Sequence, residues 1–100
     1  MDVEHEAALR VAEAELRAAA RAYARERVAA AGEENELHAA GAARPVKLSK
    51  EASAAMAEVI VSFAREAVHR PLKEAAFDGE GQATQDHVER CLPQLLLDFA

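Results

Sequence analysis

Between Asp2 and Ala31 the chain carries neither glycine nor proline, and alanine, glutamate and arginine fill most positions. Such residues lose little side-chain freedom in a helix, so the segment reads as one long helix over about residues 2–31. Leu9, Leu16 and Tyr23 fall seven apart, with Ala12 and Ala19 between them, which predicts a narrow apolar seam with Tyr23 as a packing residue. Arg17, Arg21 and Arg25 recur every four residues and form a cationic stripe on another face. The acidic start (Asp2, Glu4, Glu6) suits the positive end of the helix dipole.

Gly32 is expected to stop this helix. Residues 32–48 then read as a connector, polar and punctuated by Gly41 and Pro45. Ser49 has the chemistry of an N-cap and Glu51 falls in the first turn that follows, which opens a second helix over about 49–77. Ala52, Met56, Val59, Ile60, Phe63 and Ala67, then Leu72, Ala75 and Ala76, follow the i, i+3, i+4, i+7 rule. Pro71 lies inside that run. It removes one hydrogen bond and crowds the carbonyl of Ala67, so a kink near 67–71 is expected, with two separate helices as the lesser alternative.

Gly79 and Gly81 break the chain in a loop over 78–85. Asp86 followed by Glu89 resembles a capping box for a third helix and terminal turn over 86–99. Val88, Cys91, Leu92, Leu95, Leu96 and Phe99 make its apolar stripe and leave Gln94 and Asp98 outside. Pro93 is tolerated if it occupies the first turn of a short terminal helix. Alternating β-branched runs are absent, so the fold class is all-α.

One hundred residues make a single small domain that buries only roughly 60–65% of its unfolded surface. Hydrophobic residues reach 51%, but alanine, which contributes little buried area, supplies much of that, and aromatics only 4%. The large apolar side chains cluster in 56–72 and 88–99, more helical surface than the chain can cover alone. Completion by a second chain is the physical expectation.

A net charge of −6 argues against a strongly basic nucleic-acid binder. Cys91, the single cysteine, excludes an intrachain disulfide and reads as a buried structural thiol. His5, His38, His69 and His87 are scattered and read as surface or rim polar groups, with no metal-ligand spacing. Glu13 and Glu15 read as charged helix surface. No apolar run approaches the roughly 18 residues of a membrane span, and the acidic start is wrong for a signal peptide. A soluble protein of the cytosol or nucleus is expected. With no phosphate loop, nucleophile elbow or paired-acid site, the chain reads as a non-enzyme without cofactor, metal or small-molecule substrate.

The segment LPQLLLDF (92–99) resembles the C-terminus of the centromere protein X family, and the likeness extends back through VKLSKEASAAM to Ser49, with Met56, Glu58, Phe63 and Glu66 in the family pattern. This resemblance implies a histone fold that pairs in a handshake with a centromere protein S-like chain, with Met56, Val59, Ile60, Phe63, Leu72, Leu92, Leu95, Leu96 and Phe99 at the partner interface. It further implies a heterotetramer that binds double-stranded DNA in the nucleus at kinetochores and stalled forks, in company with a Fanconi anaemia M-type translocase. Arg44, Lys47 and Lys50, extended by Arg21 and Arg25 and by Arg17, are then the candidate DNA contacts, gripping phosphates without reading bases. Against this, the second loop, DGEGQATQD, holds three acidic residues and no Lys or Arg. Two other readings stay open: a histone-fold scaffold acting only on proteins, as in transcription-factor subunits, and an unrelated helical bundle or homo-oligomer.

Overall fold

The computed structural model describes residues 3–33 and 46–100. They form three helices and, among the described residues, no strand: α1 (Val3–Glu33), α2 (Lys50–Phe77) and α3 (Gln85–Asp98). The chain divides inside α2 into two compact units, Met1–Val61 and Ser62–Ala100.

In the first unit, α1 runs through Gly32, which therefore does not stop it. In a terminal turn the roughly 1 kcal/mol that glycine costs is a minor loss. Glu6–Arg10 and Glu13–Arg17 pairs at i, i+4 line its surface. The side of α1 turned inward is the row Leu16, Ala20, Ala24, Val28 and Ala31, all buried or half-buried. Leu9, Ala12, Ala19 and Tyr23 are exposed, so the seven-residue seam expected from the sequence is replaced by a row in steps of four and three. The cause is the pairing of α1 with α2. Arg17 donates from Nε to Glu58 Oε2 at 2.6 Å and from Nη2 to Oε1 at 3.2 Å, a bidentate clasp between the two helices. Alanines at 20 and 24, with Ala57 fully buried on α2, keep side-chain bulk out of that seam.

Ser49 caps α2 as expected: its Oγ accepts from the Ala52 N–H at 3.0 Å, and its carbonyl accepts from Ser53 N–H at 2.9 Å. Pro71 is buried inside one continuous helix, and the alternative of two helices is excluded.

In the second unit, α2 closes with a Schellman turn. Glu80 N–H donates to Ala75 O at 2.9 Å and Gly79 N–H to Ala76 O at 3.1 Å, with Gly79 at φ 74°. Thr84, in extended conformation, is the N-cap of α3, and its N–H donates to Nδ1 of His87 at 3.0 Å. The capping box is thus Thr84–His87 and not Asp86–Glu89, because an imidazole acceptor at the third helical position does the work expected of a glutamate. His87 is 2% exposed, so it is no surface or rim group. Pro93 sits inside a single helix that continues to Asp98, and no separate terminal helix begins there.

The open end of this α2–α3 pair is held by side chains. The Phe63 and Phe99 rings meet edge to face, with centroids 5.3 Å apart and planes at 75°. Arg70 Nη2 lies 2.7 Å from Asp98 Oδ2, and Gln94 Nε2 donates to Asp98 Oδ1 at 2.9 Å. The Gln94 amide and then Arg70 hold the Asp98 carboxyl below its ordinary range, and Asp98 in turn raises Arg70. Val61 and Leu95 are the only large aliphatic side chains buried among the described residues; alanines and Pro71 make up the rest of the apolar core.

Candidate partner and nucleic-acid surfaces

A core built mostly of alanine leaves most of the long apolar side chains outside. In the first unit, Met56, Val59 and Ile60 are exposed on α2 and line an open groove of about 470 Å³ with Tyr23, Val28 and Leu48. Tyr23 is 67% exposed, so its ring is a wall of this groove and not part of a core. In the second unit, Leu72, Leu92 and Leu96 are exposed, and Phe63 is half-buried against Phe99. Leu95 departs from the expected interface: at 3% exposure it is spent on the chain's own core, because α3 turns that position inward. Cys91 is half-buried rather than buried.

The cations fall into two groups. A depression of about 410 Å³ in the first unit is lined by Arg21 and Arg25 of α1, by Leu48, and by Ser49, Lys50 and Ser53 at the start of α2. Three positive side chains thereby converge on a helix N-terminus, whose first amides favour anionic oxygens. Lys47 is exposed in the segment leading into that helix, and Arg44 lies outside the described residues. None of Arg21, Arg25, Lys47 and Lys50 is drawn into an ion pair with a described residue. Arg17 is different: the clasp on Glu58 and the nearby Glu13 consume it, which removes it from the cationic stripe.

Arg90 is likewise spent, donating to Asp78 Oδ2 at 2.9 Å and lying 3.2 Å from Asp86 Oδ2. That hydrogen bond holds Asp78 below its ordinary range and raises Arg90. The surface around the second loop is therefore acidic or neutralised, as the sequence suggests. Sequence reasoning missed the burial of His87 and its two facing carboxylates, Asp78 and Glu80. The sequence signal was a histidine three residues after a capping threonine. No helix among the described residues is long and apolar enough to cross a membrane.

Comparison with known proteins bears on the same residues. Residues 34–99 match the family model described as CENP-S associating centromere protein X. Centromere protein X of Gallus gallus is 46% identical over 44 residues, which cover 44% of this chain and 55% of that protein. The alignment thus spans about half the length of the curated relative. No solved structure matches. The match takes in α2, α3 and both cappings, and leaves α1 outside it. The chain belongs to the centromere protein X family, and the three helices of its described residues belong to a histone fold.

Proposed function

We propose that this chain is a non-catalytic nuclear subunit that pairs, in a handshake, with a second histone-fold chain of the centromere protein S kind. One observation carries the reading: most of the large apolar side chains of α2 and α3 are exposed, while the core is mostly alanine. Exposed side chains in rows along two helices are the pattern a second helical chain covers. The description of the matched family as associating with CENP-S supports that choice of partner. The pair binds double-stranded DNA through phosphates, and serves repair at stalled forks and kinetochore assembly, with a Fanconi M-type translocase as a further partner. Support for DNA contact by this chain comes from the convergence of Arg21, Arg25 and Lys50 beside the start of α2, with Lys47 next to it. The acidic second loop leaves the remaining positive charge to the partner.

Co-expression with a centromere protein S-like chain, followed by mass measurement, tests the pairing; a monodisperse, cooperatively melting monomer that ignores that chain sinks it. Salt titration of the pair on duplex DNA tests the rest. Reversing Arg21, Arg25 and Lys50 to Glu is expected to weaken binding and to reduce the slope of log K against log salt by roughly 0.9 for each phosphate that is no longer neutralised. A pair that does not bind DNA near physiological salt supports the protein–protein scaffold, which the net charge of −6 favours.

A further inference from the structure

His87 is 2% exposed, and its Nε2 has no hydrogen-bond partner. An orphaned buried ring nitrogen costs free energy on the scale of a lost hydrogen bond unless something binds it. Two carboxylate oxygens face that nitrogen: Asp78 Oδ2 at 3.4 Å and Glu80 Oε2 at 3.5 Å. The three ligand atoms lie within 4.8 Å of one another.

We infer that Asp78, Glu80 and His87 form a binding site for a divalent transition cation of the Zn²⁺ type, facing the loop between α2 and α3. Zinc bonds to imidazole nitrogen and carboxylate oxygen at about 2.0–2.2 Å, so two tetrahedral ligands stand roughly 3.4 Å apart. The separations from Nε2 match that edge. One imidazole and two carboxylates fill three positions and leave a fourth for water. Both ends of the site are already fixed. The Schellman turn with Gly79 holds Asp78 and Glu80, and the contact of Nδ1 with Thr84 Oγ1 holds the ring.

The second ring nitrogen supplies the outer-shell contact. Nδ1 lies 3.1 Å from Thr84 Oγ1, so the tautomer that frees the Nε2 lone pair for a metal can donate its Nδ1–H to the threonine hydroxyl. In that tautomer Nδ1 no longer accepts from the Thr84 N–H, so loading the site costs this capping hydrogen bond. Arg90 is the competitor, since its Nη2 reaches the same Asp78 Oδ2 at 2.9 Å. Its second anchor on Asp86 lets it stay in place while that oxygen is shared. The loop from Asp78 to Asp86 has three carboxylates and no Lys or Arg, and a divalent ion offsets two of those charges.

The test is titration of the full chain with Zn²⁺ alone, against a chromogenic chelator and by thermal melting, with Mg²⁺ as a hard-cation control. Saturable Zn²⁺ binding, a melting temperature rising with free Zn²⁺, and no response to Mg²⁺ are expected. Glu80→Gln and His87→Gln are each expected to weaken Zn²⁺ by roughly tenfold or more, the scale of loss that even an outer-shell partner causes. His69→Gln leaves it unchanged. Nitrogen NMR of His87 should report the proton moving from Nε2 to Nδ1 on loading. Absence of Zn²⁺ binding, or equal affinity in wild type and Glu80→Gln, overturns the site. Because Glu80 is exposed, that variant decides the question even where loss of the buried His87 ring prevents folding.

Discussion

Truncating Leu95 to alanine tests whether α3 carries a core of its own. Leu95 is 3% exposed, so the change strips about three carbon groups from a buried position. At roughly 0.8 kcal/mol per buried methylene, the transfer loss alone is about 2.4 kcal/mol. A residual cavity adds to this, and buried Leu→Ala changes cost about 2–5 kcal/mol in all. For a domain of this size the low end corresponds to a melting temperature lower by roughly 8–16 °C. Leu97→Ala, two residues on and 69% exposed, is the internal control and should stay within about 0.5 kcal/mol of wild type. Thermal and urea melts must be compared at one protein concentration, since an associating chain melts in a concentration-dependent way. Equal losses for the two variants would show that the face of α3 assigned to the core is wrong.

Gly79→Ala forces alanine to φ 74°, while a Cβ there meets nothing within 4 Å; the cost is the backbone conformation alone, about 1–2 kcal/mol in a urea melt. Gly81→Ala has equal space and no positive φ, so it should be neutral or stabilise slightly, and equal effects would refute the Schellman assignment. For Asp98, the folded carboxyl is held below the ordinary value of 3.8, first by the Gln94 amide and then by Arg70. Its contribution is therefore complete above 3.8 and disappears as pH falls further, through the depressed folded value. The stability gap between wild type and Asp98→Asn should be flat above the carboxylate range and close below it; a gap independent of pH down to acid unfolding contradicts the ion pair.

The parts of this fold legible in the sequence are those set by local chemistry. Ser49 caps α2 because a hydroxyl before an apolar run has one good use, and Gly79 ends it because few other residues enter the left-handed region. What was illegible depends on a second helix. Leu9, Leu16 and Tyr23 make an apolar line on an isolated helix, yet packing against α2, where Arg17 clasps Glu58, turns the row of Leu16, Ala20, Ala24 and Val28 inward instead. The same clasp consumed an arginine that looked free. Leu95 and Leu96 are indistinguishable as letters, and only the seating of α3 makes one core and the other surface. His87 escaped because an imidazole at the third helical position is an uncommon substitute for glutamate in a capping box.

The pairing of α2 and α3 is latched at both extremities: Gly79, Thr84 and His87 at the turn, Phe63–Phe99 and Arg70–Asp98 at the other end. A strip fastened only at its turn would peel from the free end, residue by residue. Fastened twice, α3 has no cheap place to start lifting, and its amide protons should exchange with solvent as one block at a single opening rate. Cutting either latch converts that concerted opening into graded fraying from the side released.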